Sequence, residues 1–123
     1  MLPKGYGKTE GKEGVMRLDL ADLRLFIAIV DTGSITGGAA AAHLALASAS
    51  ERLRKMEAEV GVPLLHRHAR GVTTTEAGEV LARHARPLLE QQRRLRRAMH
   101  AFARGQQGTL RLFARQKSRH RRG

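Results

Sequence analysis

Cysteine is absent from this 123-residue chain, and disulfides, thiolate zinc sites and cysteine nucleophiles are excluded with it. Tryptophan is also absent, tyrosine occurs once and aromatic residues make up 3% of the chain. That is too few for the stacked rings on which single-stranded bases lie. No apolar run approaches the ~20 residues that a membrane span requires. The opening residues, MLPKGYGKTEGKEG, lack the apolar core of a signal peptide. They read as a flexible leader over residues 1–18. No P-loop, no G-x-G-x-x-G and no nucleophile–base set occurs, so neither an enzyme nor a cofactor is expected. The missing cysteines are compatible with a cytoplasmic protein.

Acidic residues are scarce in one place only. The net charge is +12, from 23 Lys or Arg against 11 Asp or Glu. Residues 19–75 hold six of each sign, whereas residues 76–123 hold thirteen basic and three acidic side chains. A high isoelectric point points to a polyanion partner. The surplus charge nevertheless lies outside the part of the chain that looks most organised.

That part reads as short helices followed by a basic turn. Over residues 19–31, Leu20, Leu23, Phe26, Ile27 and Val30 recur at helical spacing, and Gly33 stops the pattern. Ser34 or Thr36 can cap a second, alanine-rich helix running to His43, which Gly37 and Gly38 weaken by up to ~1 kcal/mol each. A third helix spans about 48–60, with Leu53, Met56 and Val60 inward and Ser50, Arg52, Arg54 and Lys55 on other faces. Gly61 ends it and Pro63 prevents its continuation. Residues 64–66 and 72–74 are strand candidates flanking the basic turn Arg67-His68-Ala69-Arg70-Gly71, a two-stranded wing in outline. The whole is mainly α: a winged helix-turn-helix of three helices and a short wing, able to place one helix in the major groove of DNA.

Thr75 caps a long helix, expected over 76–104. Ala77, Leu81, His84, Leu88, Gln91, Leu95, Ala98 and Phe102 alternate by four and three, a heptad-like seam that suits dimerisation. Its alternative is packing back onto the first helix of the same chain. Both can hold, because different faces are apolar: Val80 and Leu89 can turn toward the domain while Leu81, Leu88 and Leu95 meet a partner. Pro87 should kink this helix or lower its stability. Gly105-Gln106-Gln107-Gly108 should end it, residues 109–113 look like one strand, and the basic remainder should lack regular structure.

Several of these segments, taken in order, resemble the N-terminal DNA-binding region of LysR-type transcriptional regulators. Leu23 and Phe26 with Gly33-Ser34-Ile35-Thr36 resemble the opening helix and its turn. Ala39 and His43 match the second helix, and Ser50, Arg54 and Glu57 match the recognition helix. Gly61-Val62-Pro63-Leu64-Leu65 with Arg67 resembles the entry to the wing. Gly71-Val72 with Thr75-Glu76-Ala77-Gly78 resembles the start of the linker helix. The resemblance implies a winged helix-turn-helix over 19–75, a linker and dimerisation helix over 76–104, and regulation of transcription in the cytoplasm of a bacterium. It also implies that residues 105–123 hold the beginning of a truncated effector domain and a basic tail, with no small-molecule effector expected. The chain departs from the family at Ala45-Leu46-Ala47-Ser48, where a cap and a base-reading amide are usual; Ser48 would then cap one turn later.

The candidate DNA contacts are therefore Ser34, Thr36, Ser48, Ser50, Arg52, Arg54 and Lys55 around the helix-turn-helix, and Arg67, His68 and Arg70 at the wing. The first group can reach base edges or backbone, and the second suits the minor groove. Glu51 can accept from cytosine, but an i,i+4 pair with Lys55 is favoured. The dimerisation candidates are Ala77, Leu81, His84, Leu88, Leu95 and Phe102, and double-stranded DNA and a second copy are the expected partners. No metal is expected: His66 and His68 form an H-x-H without further ligands. Two alternatives stay open. One is a nonspecific binder of polyanions at an RNA or membrane surface; the other is a fragment that pairs with, and poisons, a full-length regulator.

Overall fold

The structure, a computed structural model, describes residues 16–122, with side chains as far as Gln106. Most of the expected leader, residues 1–15, lies outside the described residues. Six elements follow: α1 (Leu20–Thr32), α2 (Ile35–Ala41), α3 (Leu46–Val60), β1 (Leu65–His68), β2 (Gly71–Thr74) and α4 (Glu76–Arg122).

Local chemistry sets most of these limits. Asp19 accepts from the Asp22 N–H at 2.8 Å and Asp22 accepts from the Asp19 N–H at 3.1 Å, so a capping box opens α1. Gly33 closes it in the left-handed region at φ 76°, with its N–H on the Ile29 carbonyl. Ser34 caps α2 by accepting from the Gly37 N–H at 2.8 Å. Helix α3 begins at Leu46, two residues earlier than expected. Its N-cap, Ala45, makes no side-chain bond, so Ser48 sits inside the first turn and is not the cap.

Phe26, Leu25, Ile29, Leu53, Met56 and Leu64 are fully buried and form the centre of the core. Burying a side chain of this size stabilises by about 1.5–3 kcal/mol. Gly38 lets α2 lie directly on α1, since a Cβ there would stand 2.7 Å from the Ile29 backbone. The core also reaches Leu65 of the wing and Ala82 of α4, and a smaller cluster joins Leu23 to Ala85 and Leu89. No polar or charged side chain is buried among the described residues.

The wing is an antiparallel pair with Leu65 opposite Thr74 and His68 opposite Gly71. The strands run further than expected and the turn is only Ala69-Arg70, so Arg67 and His68 are strand residues. Gly71 takes φ 136°, and a Cβ at this position would collide with the Gly33 carbonyl. The next residue, Val72, donates its N–H to that same carbonyl at 2.9 Å. A glycine here thus ties the wing to the end of α1.

Thr75 caps α4, accepting from the Gly78 N–H at 3.0 Å while its hydroxyl donates to the Pro63 carbonyl at 2.8 Å. Pro87 lies within the helix and does not end it. Neither does the Gly105-Gln106-Gln107-Gly108 stretch: α4 continues to Arg122, through the residues expected to be a strand and an irregular tail. Two glycines cost about 2 kcal/mol in a helix. An established helix, however, extends without a new nucleus, and a lone strand would leave its backbone groups unpaired. The chain divides into two compact units at Leu89 and Glu90.

Candidate nucleic-acid interface

Helix α3 has one buried side, formed by Ala49, Leu53 and Met56. At 100° per residue the opposite ridge carries Ala47, Glu51, Arg54, Lys55 and Ala58, all of them exposed. Ser50 and Arg52 lie on the flanks and are half-buried, and Ser48 is exposed. Within the expected contact set, Arg54 and Lys55 therefore present the most direct cationic surface. Thr36 is exposed at the start of α2, whereas the Ser34 hydroxyl is engaged as a cap.

Two arginines have partners that the sequence did not disclose. Arg54 grips Glu51 with both arms of its guanidinium, at 3.1 and 2.6 Å. This replaces the expected Glu51–Lys55 pair, because the planar fork matches a carboxylate bidentately and an ammonium does not. The same hydrogen bonds hold the Glu51 carboxyl below its ordinary pKa. Arg52 turns to Asp22 of α1 at 3.2 Å and approaches Asp19 at 4.0 Å. Its charge is thus spent largely on holding α3 to α1.

His66, Arg67, His68, Ala69 and Arg70 are all exposed on the wing. Arg70 stands at the turn. Arg67 approaches Glu57 at 3.8 Å and the His68 ring bonds the Thr73 hydroxyl at 3.1 Å. No group of three or more His, Asp or Glu side chains able to hold a metal occurs among the described residues.

Sequence reasoning missed what Glu57 does. Its carboxylate leaves α3 and accepts from the N–H groups of Leu64 and Leu65, at 2.7 and 3.3 Å. It thereby sets the start of the wing relative to α3. A carboxylate three positions past Arg54 and seven before Leu64 was visible, but only the fold shows that the chain doubles back to it. Asp31 is a second such residue, binding Arg86 at 2.7 Å and clamping the end of α1 to α4.

The dimerisation candidates divide. Ala77 and Leu81 are half-buried against the chain's own core, while His84 is exposed beside them in an apolar groove with Met16, Leu18 and Val80. Leu89 is buried but Val80 is 44% exposed, so the arrangement with Val80 inward and Leu81 outward is corrected. The phase of α4 is set by Ala82, Ala85 and Leu89, which places Leu81 next to the core. Leu88, Leu95 and Phe102 are exposed at 53%, 59% and 61%.

Three helices with a Gly-closed turn, a two-stranded wing docked on the first helix and an outward ridge on the third define a winged helix-turn-helix domain. The family profile described as "Bacterial regulatory helix-turn-helix protein, lysR family" matches residues 20–79. The nitrogen assimilation regulatory protein nac of Klebsiella aerogenes is 43% identical over 74 residues, covering 60% of this chain and 24% of that protein. The HTH-type transcriptional regulator TfdT of Cupriavidus pinatubonensis is 33% identical over 95 residues, covering 77% of this chain and 42% of that protein. Among solved structures, the CbnR_DBD–DNA complex superposes with a TM-score of 0.63 at 30% identity, over 70% of this chain and 99% of that one. The BenM_DBD/catB site 1 DNA complex gives 0.66 at 30% identity, over 70% and 96%. The chain belongs to the LysR family of bacterial helix-turn-helix regulators. It spans about a quarter of the length of the nac regulators.

Proposed function

We propose that this chain binds duplex DNA sequence-selectively as a homodimer and regulates transcription in the bacterial cytosol. Residues 19–75 read the DNA and residues 76–104 form the dimer helix. Helix α3 lies in the major groove, where Arg54, Lys55 and Ser50 reach base edges or phosphates. The wing tip at Arg70, with Arg67 and His68, lies along the minor groove and supplies affinity more than base choice. Thr36 and Ser48 contact the backbone at the rim.

One observation carries this reading: the face of α3 opposite the core is fully exposed and bears Arg54 and Lys55, in a domain similar to DNA-binding domains solved with DNA bound. The Glu51–Arg54 pair must open for Arg54 to reach a base. Because both side chains are exposed, the pair costs little to break. Dimerisation is supported by Leu88, Leu95 and Phe102, large apolar side chains left in water at heptad spacing.

Selection of bound fragments from a random duplex pool tests the proposal. The expected outcome is a motif with two related halves about one helical turn, or a multiple of it, apart. Recovery of unenriched sequence would contradict it.

A further inference from the structure

The unbroken course of α4 to Arg122 creates a register that an end at Gly105 would have hidden. At 100° per residue, Arg93, Arg97, Arg104, Arg111, Arg115 and Arg122 fall within about 40° of one another around the helix. These six positions share one face of the helix over about 44 Å of its length. Leu95, Met99 and Phe102 occupy the opposite side, exposed at 59%, 53% and 61%, and positions 110 and 113 place Leu and Phe in the same apolar register. From residue 90 to the last, eleven Lys or Arg accompany one acid, Glu90. That single carboxylate is shared by Arg93, Arg94 and Arg97 at 2.9, 3.3 and 3.6 Å, and the hydrogen bonds from Arg93 and Arg94 hold its pKa below the ordinary value. No acidic residue follows it.

We infer that this arginine row is a second phosphate-binding surface, which grips the backbone of duplex DNA without reading bases. Ten of the eleven cations are arginine, whose planar fork takes phosphate oxygens bidentately. Duplex DNA offers one charge per ~1.7 Å of axis, both strands counted, so a row of this length spans more than one backbone crossing and has several phosphates within reach. The apolar stripe opposite it is narrow for a helix lying in a lipid surface. Dimerisation through that stripe leaves the arginines on the outer side. The inference rests on duplex DNA as the partner, but not on site recognition by α3.

The test uses the full chain with Arg104, Arg111, Arg115 and Arg122 replaced together by Gln, and separately by Lys. Fluorescence anisotropy follows binding to a 40-bp duplex carrying the selected site and to a scrambled duplex, between 50 and 200 mM NaCl. The Gln variant should lose affinity for both duplexes by the same factor, tenfold or more at 50 mM salt. Its plot of log K against log salt should flatten by about 0.9 per lost contact, and the Lys variant should keep most of the wild-type slope. An unchanged slope in the Gln variant would overturn the inference, as would an equal loss in the Lys variant, which would mark a structural role. Vesicles of phosphatidylserine and phosphatidylcholine form the last arm. Binding that the Gln variant loses, with its DNA slope intact, would assign the row to a membrane instead. A wild type that fails to prefer the selected site sinks the reading of α3 alone, because the scrambled duplex still reports the row.

Discussion

Between Leu20 and Leu89 six large side chains are fully buried, whereas from Glu90 to Gln106 not one residue is. The first region has the partners to fold by burial: three helices, a wing and the first turns of α4 share one core. The second is a helix whose large apolar side chains Leu95, Met99 and Phe102 stay exposed, and Glu90 is the acid that pairs with Arg93, Arg94 and Arg97 on it. Stability is therefore decided in the first region, while the second leaves its large apolar side chains in water.

Phe26→Ala should separate the two most sharply. It removes a fully buried ring and should cost about 3–5 kcal/mol, enough to abolish a cooperative thermal transition. Phe102→Ala, at a site 61% exposed, should leave the melting of a dilute sample unchanged while weakening self-association in sedimentation equilibrium. If Phe102→Ala lowered the melting temperature without altering the molecular mass, the separation of roles would fail.

Glu57→Ala comes next. The carboxylate accepts two backbone N–H bonds at the wing entry, and charge-assisted bonds of this kind are worth about 1.5–3 kcal/mol. Urea denaturation should show a loss in that range, and hydrogen exchange should quicken at Leu64 and Leu65. Arg52→Ala should cost less than about 1 kcal/mol, since the Asp22 pair is partly open to solvent. Its effect on DNA affinity should be smaller than that of Arg54→Ala; the reverse order would return Arg52 to the DNA surface.

The smallest effect concerns Glu51. Its folded-state pKa is lowered by Arg54, so the pair's contribution is complete at neutral pH and fades as pH falls through that lowered value. In an NMR titration the Glu51 carboxyl should titrate below the ordinary range, and Arg54→Ala should move the midpoint back up. A midpoint unmoved by that change would deny the pair in solution.

Much of this architecture could be read from residue order. Leu23 and Phe26 at helical spacing, Gly33 and Gly61 at helix ends, and Thr75 before two acids mark boundaries that the structure places within a residue or two. Phase and pairing were harder to read. Arg54 and Lys55 stand three and four positions from Glu51, both within reach, and the choice depends on the guanidinium fork. Whether Val80 or Leu81 faces the core depends on how Ala82, Ala85 and Leu89 seat α4, which no local pattern encodes. The glycines near 105 are breakers in isolation, yet each follows a helix already formed, and α4 runs through them.

The most direct trial is a competition titration of the selected duplex against its scrambled form, comparing wild type with the Ser50→Ala, Arg54→Ala double variant. The variant should lose about 1–3 kcal/mol of discrimination while keeping most of its salt-sensitive grip on scrambled DNA. Equal weakening on both duplexes, with the preference intact, would show that α3 does not choose the sequence.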